Sequence, residues 1–401
     1  MTRRARARAM RHRRPVPRTL RDGAAAACHR RGGRAMLHPE ARPRPAMTRV
    51  VTLIATHALR TRQRVDRPAA AGAPRAFPLR RAARLALAAL ALAGCTGGVQ
   101  PASRAEREAY VGRRGTLTDA DTTRVAMRGR YAVYRVRLAS STGLAVTGRL
   151  LVPARATSPF PAVLLNDGRE LNSGAVDALP PDFGDVVALS LDYPEQLPYD
   201  VDFGTLLRRQ GELRDAARRI PAAFSLGGAY LARRADVDSA RVALVATSFA
   251  VPFAVIAASL DERFRNVALI YGAGDFPGVL AANLALRPSW LREPAAKVAM
   301  RAFAEFEPAR YVAAISPRPL LMVNGIDDPQ MPARAVRSLY EAAREPKSIV
   351  WLRTGHLSPD DSVLIRALVD TTLARLPLLR RATAGATAGR ERVSPGASAI
   401  P

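Results

Sequence analysis

The run RVALVATSFAVPFAVIAASL, residues 241–260, decides the fold of this chain. Residues 242–246 form an uninterrupted apolar stretch that is typical of a buried strand, and an apolar helix is predicted from Phe249 onward. Ser248 lies at the joint between the two. A serine at a sharp strand-to-helix turn exposes its hydroxyl beside the backbone N–H groups of the helix start. The segment therefore predicts both a buried parallel strand and a candidate nucleophile.

Most of the positive charge lies in the first quarter of the chain. The first 94 residues contain 23 arginines and three acidic residues, so about +20 of the formal net charge of +28 lies there. An arginine-rich arm that binds nucleic acid is one interpretation, but the segment is rich in proline and alanine and lacks interleaved aromatic residues. We therefore predict that residues 1–79 are a basic disordered extension or misassigned upstream sequence, and that the protein has no nucleic-acid partner.

Residues 80–94 have the pattern of an export signal. An arginine cluster precedes the apolar run LALAALAL at 85–92, which is too short to span a bilayer permanently. The sequence LAGC at 92–95 follows and resembles the lipobox of bacterial lipoproteins. The resemblance implies cleavage before Cys95 and lipidation of its sulfur, so the protein would be anchored to the bacterial cell envelope, on its periplasmic or outer surface. An ordinary signal peptide with a chance cysteine is the alternative.

The remainder of the chain predicts one α/β domain over residues 126–380. Apolar runs predict strands at 131–138, 146–152, 162–165, 186–191, 242–247, 267–271, 320–323 and 349–352. Helical segments are predicted between them at 203–234, interrupted by Pro221 and by Gly227–Gly228, at 333–345 and at 361–378. Buried strands that alternate with helices indicate a mostly parallel sheet covered on both faces. We predict that the polar segment 95–125 is a tether and that 381–401 is a disordered tail.

Histidine is scarce after residue 57. The sole histidine beyond that point is His356, in the run RTGHLSP at 353–359, just after the last predicted strand. A serine hydroxyl becomes a good nucleophile when a base removes its proton, and imidazole titrates near neutrality. Ser248 and His356 are therefore the predicted nucleophile and general base. A serine that only caps the following helix, and a histidine with a surface role, are the alternatives.

The carboxylate that would orient the imidazole is predicted in the run NGIDDPQMP at 324–332. Asp327 and Asp328 both follow a predicted strand, at the carboxyl edge where α/β sheets place their sites. For either residue, an aspartate that forms a turn before Pro329 is the alternative. From these residues alone the choice between the two aspartates stays open.

The chain order serine, aspartate, histidine resembles that of the α/β-hydrolase superfamily, whose signature at the nucleophile is G-x-S-x-G. Ala246 and Ala250 stand where that signature has glycines. The resemblance covers roughly 130–378 and looks closest to the branch with dienelactone hydrolases, acetyl xylan esterases and prolyl-oligopeptidase-like catalytic domains. It implies the α/β-hydrolase fold: a mostly parallel twisted sheet with helices on both faces and a small helical insertion, 276–310, before the acid-bearing strand.

The same resemblance selects one aspartate. In that branch the acid commonly lies three residues after the glycine at the strand end, with a proline four residues further on. Gly325, Asp328 and Pro332 match this spacing. Asp328 is therefore the implied acid of the triad, with Asp327 as its neighbour.

A serine nucleophile also needs donors for the tetrahedral oxyanion. The backbone N–H groups of Phe249 and Arg169 are the predicted pair. Arg169 lies in the loop NDGRE at 166–170, where the superfamily often has His-Gly. The carboxylate of Glu170 faces either the pocket or the surface, and both readings stay open.

No cofactor and no metal is predicted. The sequence after the lipobox has a single histidine, no HExxH pattern and no GxxxxGK[ST] loop. The other cysteine, Cys28, would be lost in processing, so the processed chain could form no intramolecular disulfide and no thiolate cluster.

Together the residues predict an exported serine hydrolase that cleaves carboxylic esters through an acyl-enzyme on Ser248. Its expected partners are a small-molecule ester and, through the lipid anchor, a membrane, whereas the oligomeric state stays open. An acyltransferase or small peptidase of the same fold is one alternative. A catalytically lapsed surface binding protein is another, suggested by the two alanines around Ser248 and by the Asn-Asp-Gly loop.

Overall fold

The computed structural model describes residues 99–154, 158–168, 171–194, 208–376 and 379. The predicted extension 1–79, the export signal 80–94, Cys95 and the predicted tail 381–401 lie outside the described residues.

The described residues form nine strands and seven α-helices. The strands are β1 Leu117–Arg128, β2 Tyr131–Ser140, β3 Ala145–Pro153, β4 Phe160–Asn166, β5 Val187–Leu191, β6 Val237–Thr247, β7 Asn266–Ile270, β8 Leu320–Gly325 and β9 Lys347–Leu352. The α-helices are α1 Arg104–Arg114, α2 Gln210–Arg233, α3 Val251–Leu260, α4 Phe276–Asn283, α5 Arg292–Met300, α6 Ala333–Ala342 and α7 Ser362–Arg375. Short 3-10 helices occur at Asn172–Ala178, Ser248–Ala250, Ser289–Leu291, Arg301–Phe306, Pro308–Arg310 and Val312–Ile315.

All nine strands belong to one sheet, in the order β1-β2-β3-β5-β4-β6-β7-β8-β9. The pairs β1–β2, β2–β3 and β3–β5 are antiparallel, and every pair from β5 to β9 is parallel. The eight strands predicted from apolar runs are all present, and the first two of them form the expected antiparallel hairpin. The prediction of a mostly parallel sheet is therefore confirmed.

Apolar side chains are buried on both faces of this sheet. Neighbouring residues of a strand alternate between the faces, so Leu244 of β6 packs with α2 and α3, whereas Val245 packs with α7. Leu164 and Val163 of β4 divide in the same way. A central strand buried on both sides carries a continuous apolar run, which is why these strands were readable from the sequence. The prediction of helices on both faces is confirmed.

The segment 95–125 was predicted to be a tether, and its described part is structured instead. Residues 104–114 form α1 and residues 117–128 form β1, which pairs with β2 at the edge of the sheet. β1 is exposed along most of its length, so it has no apolar alternation by which a strand is recognised. Backbone hydrogen bonds to β2 hold it, and these leave no mark on residue type.

The predicted interruptions at Pro221 and Gly227–Gly228 are wrong, because α2 is continuous from Gln210 to Arg233. Pro221 is buried inside this helix. A Cβ at Gly227 would lie 2.9 Å from the Leu191 side chain. Tertiary packing on the sheet therefore overrides the local preference for a helix break, and the glycine allows close contact between α2 and β5.

The predicted helical insertion before the acid-bearing strand is present. It consists of α4 and α5 with short 3-10 helices, and β8 follows it. Phe306 of this segment is buried, whereas Trp290 is 69% exposed. Among the described residues, every helix is too short or too polar to cross a membrane.

Candidate active site

The strand register brings three predicted site residues to one edge of the sheet. Thr247 at the end of β6 is level with Ile270 of β7, and Gly325 at the end of β8 is level with Leu352 of β9. Parallel strands all end at the same edge. The loops that follow β6, β8 and β9 therefore emerge side by side and carry Ser248, Asp328 and His356, respectively.

Ser248 occupies a strained turn between β6 and the helix that follows. Its φ is 51°, in the left-handed region that a non-glycine residue rarely adopts. The N-cap residues of the 3-10 helix and of α3 are Thr247 and Ala250, not Ser248, which disagrees with the alternative of a purely capping serine. Ala246 and Ala250 are both fully buried, so the methyl groups that replace the signature glycines fit within the packed turn.

Ser248, His356 and Asp328 form a continuous hydrogen-bonded series. Ser248 Oγ lies 3.0 Å from His356 Nε2, and His356 Nδ1 lies 2.6 Å from Asp328 Oδ2. A carboxylate only accepts hydrogen bonds, so His356 Nδ1 carries a proton and donates a hydrogen bond to Asp328. Nε2 is then the acceptor for the serine hydroxyl, which is the tautomer that a general base requires.

Asp328 faces the imidazole and Asp327 does not. The side chain of Asp328 is fully buried, whereas Asp327 is exposed. The second carboxylate oxygen of Asp328, Oδ1, accepts the backbone N–H groups of Gln330 at 2.8 Å and Met331 at 3.2 Å. These bonds hold the carboxylate in one orientation, with Oδ2 directed to the imidazole.

Tyr271, which was not predicted as a site residue, contacts the loop that carries His356. The ring of Tyr271 packs edge-on against the His356 ring, with centroids 5.1 Å apart, and its hydroxyl lies 2.9 Å from Thr354 Oγ1. Burial is the main cause that raises the Tyr271 pKa above its usual value, so the phenol stays neutral. Tyr271 also has a φ of 53°. No motif marked it, because the contact joins segments 83 residues apart.

Gly325 lets the histidine loop approach the end of β8. A Cβ at this position would lie 2.4 Å from the carbonyl oxygen of Thr354 and 3.0 Å from that of Gly355. Real Cβ atoms essentially never show the first distance, and the second is a very tight contact. The glycine quoted for its spacing to Asp328 therefore has a steric role in seating His356.

The loop that follows β4 lies next to Phe249, the residue after Ser248. Tyr193 donates its hydroxyl to the carbonyl oxygen of Asp167 at 2.5 Å, and its ring packs edge-on against that of Phe249 at 5.6 Å. Tyr193 was not predicted and links the two segments expected to supply oxyanion donors. Arg169 and Glu170 lie outside the described residues, so the second donor stays a prediction.

Among the described residues, no group of three or more His, Cys, Asp or Glu side chains is placed to hold a metal ion. The side chains of Ser248, His356 and Asp328 define the chemistry available at this edge of the sheet. A hydroxyl, an imidazole in the base tautomer and a buried carboxylate can together deliver a nucleophilic oxygen and relay one proton.

Solved structures of other proteins share the fold of this chain. No protein-family model and no curated protein matches the chain. Among solved structures, acetyl xylan esterase 1 from Thermoanaerobacterium sp. JW/SL YS485 is 16% identical, with a TM-score of 0.51 over 68% of this chain and 95% of that chain. Acetyl xylan esterase from Paenibacillus sp. R4 is also 16% identical, with a TM-score of 0.54 over 69% and 96%. These likenesses show the fold: the chain has the α/β-hydrolase fold, as predicted.

Proposed function

We propose that this protein is a serine hydrolase that cleaves carboxylic esters. The observation that carries the proposal is the hydrogen-bonded series Ser248–His356–Asp328, with distances of 3.0 and 2.6 Å. A backbone strained at the serine adds support, because strain of this kind is concentrated at functional sites. The two solved structures of similar fold are named acetyl xylan esterases, which favours an ester as the substrate class.

The reaction proceeds in two steps, acylation of Ser248 and hydrolysis of the acyl-enzyme. Ser248 Oγ attacks the ester carbonyl carbon while its proton passes to His356 Nε2, and the carbonyl oxygen becomes an oxyanion. The C–O bond to the alcohol then breaks, and the imidazolium returns the proton to the departing alkoxide. Water attacks the acyl-enzyme in the same way, His356 takes its proton and returns it to Ser248 Oγ, and the carboxylic acid is released.

The other groups assist this relay without exchanging protons. The Asp328 carboxylate stabilises the imidazolium and keeps Nδ1 protonated. The backbone N–H of Phe249, which directly follows the nucleophile, is the proposed oxyanion donor from this side of the site. The proposal assigns the second donor to Arg169 N–H.

A fluorophosphonate probe tests the assignment directly. We expect the folded protein to be labelled stoichiometrically, Ser248→Ala to lose all labelling, and His356→Ala and Asp328→Asn to lower the labelling rate at least 100-fold. Asp327→Asn is the matched control, since Asp327 is the exposed neighbour, and it should label within twofold of the unaltered protein. A folded protein that is never labelled would instead be a binding protein.

We also propose that the protein is exported and anchored to the bacterial cell envelope through lipid on Cys95. The support is the arginine cluster, the short apolar run and the LAGC sequence at 92–95. In a Gram-negative host fed radiolabelled palmitate, the full chain should incorporate label. Cys95→Ser should abolish incorporation and Cys28→Ser should leave it unchanged. Equal labelling of the two variants would refute the anchor.

A further inference from the structure

An apolar pocket lies against the face of the sheet that α7 covers. It has about 800 Å³ of empty space, including its open mouth. Val163, Val245 and Ile270 of the sheet line it, and Ala178 and Ile365 face them from the 3-10 segment Asn172–Ala178 and from α7. The hydrogen-bonded series described above does not use this space.

One end of the pocket adjoins the proposed nucleophile and base. Thr247, directly before Ser248, and Leu357, directly after His356, both line it, and so does Asp167 in the loop after β4. The pocket therefore begins at the edge of the sheet where the reaction would take place.

The other end extends down the face of the sheet. Val163 inside β4 and Asp167 just after its end both line the pocket, and four residues of extended chain span about 13 Å. An extended alkyl chain zigzags and advances about 1.3 Å per carbon–carbon bond of about 1.5 Å, so a chain of roughly ten carbons has this length. Phe183 and Val186, both buried, line the pocket as well.

The walls suit an alkyl chain rather than a polar group. Among the lining residues, the polar side chains are Asp167, Thr247 and Thr372, and the other lining residues are apolar or aromatic. Asp167 and Thr247 belong to the end nearest Ser248, where the ester group itself would lie. Each methylene that moves from water into such a pocket favours binding about fourfold.

We propose that this pocket binds the acyl chain of the substrate, and that the substrate is an ester of a medium-chain aliphatic acid with about six to ten carbons. The inference rests on the proposed function, because it takes Ser248 as the nucleophile. The acyl group stays bonded to Ser248 Oγ after the alcohol has left, so it needs a site that retains it. The alcohol must leave before water attacks, which a deep pocket would hinder.

The chain-length profile of hydrolysis tests the assignment. With p-nitrophenyl esters of acetate, hexanoate, octanoate and decanoate, we expect kcat/KM to rise at least tenfold from acetate to octanoate. Ala178→Phe and Ile365→Trp, at half-buried positions in two different elements that line the pocket, should lower kcat/KM for octanoate at least tenfold and for acetate less than twofold. Val363→Trp on α7 is the matched control, since Val363 is 80% exposed, and it should change neither.

Phosphonate labelling separates loss of the pocket from loss of the fold. A methylphosphonate p-nitrophenyl ester reports the nucleophile alone, and an octylphosphonate ester reports the nucleophile and the pocket together. Ala178→Phe and Ile365→Trp, the filled variants, should react normally with the methylphosphonate. They should react at least tenfold more slowly with the octylphosphonate. If a filled variant does not fold, the profile of the unaltered protein decides.

Different results would overturn the acyl pocket and the esterase proposal. Hydrolysis of acetate with no gain for longer chains would overturn the acyl pocket and leave the esterase proposal intact. Equal cleavage of octanoate by the filled variants and the control would do the same. A folded protein that cleaves none of the esters and reacts with neither phosphonate would overturn both.

Discussion

At the scale of single residues, Ser248 has a strained backbone and a hydroxyl that contacts the imidazole of His356. A φ of 51° brings the Cβ close to the neighbouring backbone, which costs a non-glycine residue roughly 1–2 kcal/mol. The same turn places Oγ 3.0 Å from His356 Nε2. The proposed nucleophile is therefore also a position that lowers the stability of the fold.

The strain can be measured with two substitutions that both remove the hydroxyl. We expect Ser248→Gly to unfold at a higher urea concentration than Ser248→Ala, with a free energy of unfolding larger by about 1 kcal/mol, because glycine accepts positive φ without a clash. Both variants should lack ester hydrolysis. Equal stability of the two would mean that the turn is relaxed in solution.

Gly325 controls the position of His356 by size. Gly325→Ala would place a methyl group 2.4 Å from the Thr354 carbonyl oxygen, so the loop that carries His356 must shift. A displacement of about 1 Å in a catalytic group can lower the rate about 100-fold, and we expect kcat for a p-nitrophenyl ester to fall at least tenfold with little change in KM.

Gly355→Ala is the matched control for this prediction. The nearest atom to a Cβ there lies 4.0 Å away, which is ordinary van der Waals contact. The rate should therefore stay within about threefold. If Gly325→Ala is as active as this control, the tight approach of the loop to β8 has no role in placing the base.

At the scale of elements, α1 is fixed at its start by a reciprocal pair of hydrogen bonds. Ser103 Oγ accepts from the Glu106 N–H at 3.2 Å, and Glu106 Oε2 accepts from the Ser103 N–H at 2.7 Å. Glu106 also pairs with Arg310 at 2.7 Å. The backbone hydrogen bond from Ser103, followed by the one from Arg310, lowers the Glu106 pKa to about 2.

This shift predicts a pH dependence of stability. A carboxyl whose pKa is lower in the folded state stabilises the fold above its unfolded value of 4.5, and that contribution is lost as pH falls toward 2. Because Glu106 is 44% exposed, we expect a contribution of only about 0.5–1 kcal/mol. Unfolding by urea at several pH values should show the unaltered protein exceeding Glu106→Gln near neutrality, and the gap closing with acid.

Glu108→Gln is the control on the same helix. Glu108 pairs with Arg104 in an exposed i,i+4 contact, and such pairs contribute about 0.3–0.5 kcal/mol. A gap for Glu106→Gln that does not change between neutral and acidic pH would show that the capping carboxylate contributes nothing through its charge.

At the scale of the whole molecule, residues 99–125 are part of the folded domain. Tyr110 of α1 is 6% exposed and packs edge-on against Tyr311, with centroids 6.4 Å apart. Arg114 donates to Ser225 Oγ at 3.1 Å and lies 3.6 Å from Asp261 Oδ2. Removing residues 99–125 uncovers apolar surface of the core and takes away the hydrogen bonds that pair β1 with β2.

A truncation tests the domain boundary. We expect a chain of residues 126–380 to be less stable than a chain of residues 96–380 by at least about 3 kcal/mol, the usual cost of losing one buried aromatic side chain. Thermal unfolding followed by circular dichroism measures the difference. Equal melting temperatures would restore the interpretation of 95–125 as a tether.

The amino-acid sequence by itself determined the parallel sheet and the order of its strands along the chain. Strands buried on both faces must be apolar throughout, so runs such as 242–247 could be read locally. The scarcity of histidine and the spacing from Gly325 to Asp328 likewise narrowed the candidate site to a few side chains. Each of these signals depends on residue type and position along the chain, which is why no tertiary structure was needed to find them.

The tertiary structure alone decided which groups meet. It set the left-handed turn at Ser248, the burial of Asp328 beside an exposed Asp327, and the contact of Tyr271 with the imidazole. The hydrogen bonds of the site join residues that are 28 to 108 positions apart in the chain. β1 and α1 were missed because they bury few side chains: backbone hydrogen bonds to β2 hold β1, and Tyr110 is the one buried residue of α1. Residue type records how deeply a segment is buried, whereas the partner of a hydrogen bond is fixed by the register of the sheet.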